Sequence, residues 1–223
     1  MMKHEILGFL KDIGVDNRFI SLWNGFIFIN NLKFSRFSRR REELFLARFA
    51  DCQVIRSKVF QKMSIRASRV LSKSLSPGKI VSIDKSNNCA NLALYMILEP
   101  YTRKYGIRII RCDEMEAAKD CEADMMASAL TLDREVQNIV YQMFHGLKIQ
   151  STLSNTRSGG LEIIYPLINI PESWIELWAD RYNLTCSKPT LEAVSKDFLN
   201  FFDQFVPEVR ENMLKSALYV VED

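Results

Sequence analysis

Two stretches of this sequence hold side chains whose type and spacing suit contact with phosphate. The first is Lys85-Ser86-Asn87-Asn88-Cys89-Ala90, set between a β-branched run, Ile80–Ile83, and an apolar run at helical spacing made by Leu92, Ala93, Tyr95, Met96 and Ile97. A polar loop between strand and helix turns the free N–H groups of the helix N-terminus toward an anion, which is how α/β sheets cradle a nucleotide phosphate. Glycine lets backbone approach a pyrophosphate closely, and this loop has none: Asn87 carries a side chain where that approach occurs. The expectation is a nucleotide loop that has lost its nucleotide, with no catalytic residue and no measurable ATP binding.

The second stretch is basic. Lys58, Lys62, Arg66, Arg69 and Lys73 follow one another at spacings of four, four, three and four, which places them on one helical face. Val59, Phe60, Met63, Ala67, Val70 and Leu71 form the apolar stripe of the same helix, expected over 59–75. Just upstream, Phe34–Arg41 interleaves rings with cations and ends in Arg39, Arg40 and Arg41. Arginines neutralise phosphates and rings stack on unpaired bases, so both segments are candidates for RNA contact. The alternatives are a solvated helix face and a basic turn ahead of a helix starting near Glu42. Between Lys33 and Lys85 there are fourteen Lys and Arg against four Asp and Glu, a local charge of +10 in a chain of net +3. Such asymmetry suits a polyanion on one side of the molecule.

Other groups with chemical potential are weaker. Asp84 ends the first strand, and Leu132-Asp133-Arg134-Glu135 opens a helix running through Ile139–Phe144. Asp133 reads as a helix cap with Glu135 in the first turn, the other possibility being a carboxylate for metal or ATP. The five cysteines are odd in number and lack a C-x-x-C pair, which points to reduced thiols and to neither a zinc nor an iron–sulfur site. No cofactor or metal is expected.

The elements that must position these groups follow from the pattern. The 223 residues, 48% hydrophobic and 26% charged, suffice for one large domain with an arm. No apolar run approaches the length of a membrane span, and Met1–Leu10 lacks the core of a signal peptide, so a cytoplasmic location away from membranes is expected. The arm, 1–50, holds a helix near Glu5–Ile13 and an apolar strand, Phe26–Ile29, ended by Asn30-Asn31. Further strands are expected at 105–112, 124–129 and 161–164, with helices at 115–121, from Pro171 to Tyr182, and from Val194 to Phe205 as the last element.

With those residues in view, the segment from Lys79 to Leu98 resembles the PP-loop ATP pyrophosphatases, in which the loop reads Ser-Gly-Gly-x-Asp-Ser before Leu-Ala-Leu. Leu132-Asp133 resembles the Leu-Asp-Asp of catalytic members, with Arg134 in the second acidic position. Tyr165-Pro166-Leu167 and Cys186 are similar to features of tRNA-thiolating members. Arg56–Lys79 and the broken loop together resemble the cytoplasmic tRNA 2-thiolation protein 2 family. The resemblance implies a Rossmann-like PP-loop α/β domain over 51–223, reduced in size, with a parallel sheet, helices on both faces and a mainly helical N-terminal arm. It also implies a pseudoenzyme role: a non-catalytic subunit of a wobble-uridine 2-thiolation complex that stabilises a catalytic PP-loop partner and helps bind tRNA. An active but divergent ATP-dependent RNA-modifying enzyme, or a generic interaction module, are the alternatives.

Overall fold

The computed structural model describes residues 2–112, 122–154, 157–158, 161–188 and 193–222. The helix expected at 115–121 lies outside them. At the Pro77-Gly78 turn, Gly78 takes φ +75°, open to glycine at no steric cost, and turns the chain into strand β4, Ile80–Asp84. Three further strands run parallel with it or with its neighbours: β5 (Arg108–Cys112), β6 (Met125–Ala127) and β8 (Leu161–Ile164). A two-residue strand, β7 (Arg157–Ser158), closes one edge antiparallel to β8, giving the order β5-β4-β6-β8-β7. β4 is therefore interior, paired on both sides.

Alternating side chains divide the sheet into two faces. Val81 and Ile83, Met125 and Ala127, and Ile164 pack with helices α4 (Lys58–Ser74), α5 (Cys89–Leu98) and α8 (Glu172–Arg181). Ile163 and Met126 face the opposite layer, made by α7 (Leu132–Phe144), α9 (Ala193–Phe202) and α10 (Val209–Glu222). α10 continues the chain beyond the helix expected to be last. Pro207 breaks the helical run, and Val209, Leu214 and Ala217 then bury a new apolar face.

The arm contains helices α1 (Met2–Asp12), α2 (Leu32–Ser35) and α3 (Arg39–Arg48) with strands β1 (Ile20–Trp23) and β2 (Phe26–Ile29), and β3 (Gln53–Ile55), beyond the expected boundary at residue 50, completes their small sheet. β1 and β2 form a hairpin, and β3 pairs parallel with β2. Ile27 and Ile29 turn toward Leu10, Phe37 and Phe45, while Phe28 turns the other way, onto Phe60 and Trp178 of the main core. The apolar strand Phe26–Ile29 is thus packing, with both faces covered. Buried Glu99, between α5 and the short helix α6 (Tyr101–Lys104), fixes the arm: it takes two bonds from Arg103 (2.5 and 2.7 Å) and an ion pair from Lys3 (2.8 Å). Arg103 in turn donates to the carbonyls of Asn17 and Ile20.

α3 begins three residues earlier than the sequence suggests. Ser38 is its N-cap, accepting from the Arg41 N–H, so Arg39, Arg40 and Arg41 form the first turn instead of a preceding loop. Cations in a first turn oppose the helix dipole. Arg39 offsets this by pairing with Glu42, and Arg41 donates to the Arg36 carbonyl at 2.5 Å.

Candidate functional site

The loop after β4 is closed by its own side chains. Asp84 accepts from the Ser86 N–H (3.0 Å), the Ser86 hydroxyl (2.6 Å) and the Asn91 amide (2.9 Å). Burial works against ionisation of Asp84, but these hydrogen bonds, with one from the Lys85 backbone, hold its carboxyl below the usual range. Asn88 caps α5 by accepting from the Asn91 N–H at 2.7 Å. The Lys85 N–H goes to the Cys112 carbonyl and the Cys89 N–H to the Ser187 carbonyl, each at 3.0 Å. The N–H groups of residues 85, 86, 89 and 91, which a phosphate cradle would present, are therefore engaged inside the protein.

Two further features seal the site. Arg111 lies over the rings of Tyr95 (4.5 Å to the centroid) and Trp23 (5.3 Å), which themselves meet edge to face. The cavity bounded by Trp23, Arg111, Asn91 and the loop measures about 20 Å³, room for about one water and far too little for a triphosphate. On the other flank Cys89 is disulfide-bonded to Cys186, 97 residues away, and Ser187 donates from its N–H to the Asn87 carbonyl at 2.8 Å. This corrects the expectation that the cysteines are reduced. Cys52 and Cys112 lie outside the disulfide and are buried.

The second acidic motif is also spent on structure. Thr131, not Asp133, caps α7. Asp133 accepts from the Glu172 N–H at 2.6 Å and pairs with Arg210 at 2.8 Å, so it ties α7 to α8 and α10. Glu172 accepts from Arg134 (2.7 Å) and Thr131 (3.1 Å); burial pushes its carboxyl upward, with Arg134 pulling it back. Arg134 in the second acidic position is thus the counter-charge of Glu172. His145 ends the helix and bonds the Tyr141 carbonyl at 2.8 Å. Among the described residues no three His, Cys, Asp or Glu side chains gather as a metal set.

The basic segment is different. α4 buries Phe60, Met63, Ala67 and Leu71 and carries its five cations on another face. Arg66 is held: it donates to the Asn169 carbonyl at 2.7 Å, reaches Glu211 at 3.5 Å and sits 4.5 Å over the Trp174 ring. Lys62 is exposed and lies 5.6 Å from the same ring. Lys58, Arg69 and Lys73 are exposed, and among the described residues no carboxylate pairs with them or with exposed Arg40. Of the eight cations singled out in the sequence, Arg39, Arg41 and Arg66 therefore have internal partners, and the others face solvent.

A solved structure shares this fold. A structure of the U34-tRNA thiolase NcsA from Methanococcus maripaludis with its [4Fe-4S] cluster superimposes with a TM-score of 0.57, covering 74% of this chain and 79% of that one at 14% identity. The chain has a PP-loop-like α/β fold. A probable sulfurtransferase of Methanocaldococcus jannaschii is 32% identical over 94 residues, which are 41% of this chain. The chain covers 28% of the length of that curated relative. No family model matches.

Proposed function

We propose that this chain is a non-catalytic PP-loop protein of tRNA 2-thiolation that binds RNA and supports a catalytic PP-loop partner in a cytoplasmic heterodimer acting on the wobble uridine. The observation that carries the reading is the closed loop: the N–H donors of residues 85, 86, 89 and 91 are taken up by Cys112, Asp84, Ser187 and Asn88, and its cavity is the size of a water. A nucleotide would have to break these bonds and open the Trp23–Arg111 shelf. Both similar proteins carry thiolase or sulfurtransferase names, which supports placing the chain in thiolation chemistry. RNA contact is assigned to Lys58, Lys62, Arg69 and Lys73 with Arg40, and more weakly to Arg39, Arg41 and Arg66, whose charges are already shared within the protein.

A second reading, an active sulfur-handling enzyme, is favoured by one observation: the Cys89–Cys186 pair sits at the carboxyl end of the sheet, where α/β proteins bind ligands. Calorimetry with Mg-ATP separates the two. The non-catalytic reading expects no binding heat with oxidised or with reduced protein. Micromolar binding confined to the reduced protein would favour the second reading. Retention of tRNA and of a PP-loop partner on affinity purification tests the complex, and recovery of the chain with neither would sink it.

A further inference from the structure

On the side of α4 turned toward the arm there is an open cavity of about 210 Å³. This is below the roughly 300–1,000 Å³ typical of pockets for drug-sized ligands, and it suits a single ring system. One wall is the aromatic pair Phe19 and Phe34, with centroids 5.3 Å apart, Phe34 being 53% exposed. Ile65, also exposed, forms part of the lining. It follows Lys62 by three residues and precedes Arg69 by four, so the cavity borders the cation stripe of α4. Lys104 is exposed and has no carboxylate partner among the described residues; its Nζ lies 5.0–5.8 Å from the rings of Tyr101, Tyr105 and Phe19.

Three polar groups inside can donate. Asn31 accepts from the Phe34 N–H through Oδ1, which leaves its Nδ2 to donate. Ser64 Oγ accepts from Asn30, which leaves its proton for a ligand. Burial pushes the Tyr101 hydroxyl up to about 12, so that group also stays protonated at ordinary pH. An exposed ring, hydrogen-bond donors that match base carbonyls, and a cation beside a basic helix together have the chemistry of single-stranded nucleic-acid recognition.

We propose that this cavity takes one unpaired nucleotide of the RNA whose backbone runs along α4, its base against Phe34 and its phosphate at Lys104. The inference rests on the RNA reading above and makes it specific, since a duplex alone would reach the stripe and leave the cavity empty. A helix of a partner protein would use the same apolar wall but would not need Lys104 or the donors.

The test uses the full-length chain and two RNAs in fluorescence anisotropy at fixed salt: a blunt duplex, and the same duplex with one unpaired nucleotide. The wild type should bind the second more tightly, by roughly 5- to 150-fold, the range expected for stacking one base on an aromatic side chain. Phe34→Ala should erase that preference and leave duplex affinity unchanged; Lys104→Gln should reduce it. Phe34 is exposed enough for the variant to fold, and circular dichroism checks this. Equal wild-type affinity for the two RNAs, or equal losses on both in Phe34→Ala, would overturn the cavity and leave the stripe standing. Binding of neither RNA by the wild type would overturn both.

Discussion

The β4–α5 loop and helix α4 lie in the same α/β layer and treat polar groups in opposite ways. The loop turns inward: Asp84, Ser86, Asn88 and Asn91 satisfy one another, and Cys89 is bonded to Cys186. The helix turns outward: four of its five cations are exposed, three of them with no partner among the described residues. A self-satisfied polar cluster gives up little by staying closed and resists a ligand, because each donor lost from an internal bond must be matched by the ligand. An unpaired row of like charges has the reverse character, since its members repel until an anion arrives. Where a loop is closed on itself, what remains open on the surface is the better guide to function.

The largest test of this contrast removes the open side. Lys58→Glu, Lys62→Glu, Arg69→Glu and Lys73→Glu together should lower RNA affinity on the order of a thousandfold or more at low salt. They should flatten the log–log salt slope by about 2.8–3.6, at roughly 0.7–0.9 per phosphate. Arg66 is left in place because its bonds to Asn169 and Glu211 hold structure. Filter binding at two salt concentrations reads the effect, and unchanged affinity in a folded variant would make the stripe a solvated face.

On the closed side, Cys186→Ser removes a cross-link spanning 97 residues. In the chain-entropy account a loop of that length is worth about 4–5 kcal/mol. Urea unfolding should show a large loss, equal to that of wild type under reductant, with RNA affinity retained. A smaller change separates stability from binding. Ser57 caps α4 by accepting from the Phe60 N–H at 3.2 Å, so Ser57→Ala should cost about 1 kcal/mol and leave the salt slope unaltered.

The smallest effect concerns acid. Asp84 has a folded pKa below its unfolded value of about 3.9, so its contribution is present above that pH and is lost as pH falls from there through the folded value. Asp84→Asn lacks this dependence. The stability gap between wild type and variant, measured by denaturant unfolding, should narrow below about pH 4, and a constant gap would mean that Asp84 does not hold the loop.

Much of this organisation is legible in the sequence because it is local. Pro77-Gly78 and the β-branched run mark β4, the 3.6-residue period marks α4 and α5, and the absence of glycine marks the altered loop. The features that escape are tertiary. Cys89 and Cys186 are brought together only by the folded chain, and no spacing rule joins them. The five cations of α4 are alike as letters, yet Trp174 and Asn169 claim Arg66 and leave Arg69 free. Arg39–Arg41 look like a loop because three cations seldom open a helix; Ser38 and Glu42 make it possible. Trp23 and Arg111 come from distant strands, and only the packed hairpin shows them shielding the loop.

Hydrogen exchange measured by mass spectrometry on the protein alone, with tRNA and with Mg-ATP tests the central contrast most directly. Peptides covering 58–74 should gain protection with tRNA, and peptides covering 80–98 should be unchanged by Mg-ATP in both oxidised and reduced protein. Protection of 84–92 by Mg-ATP, or tRNA protection that leaves 58–74 untouched, would contradict the account.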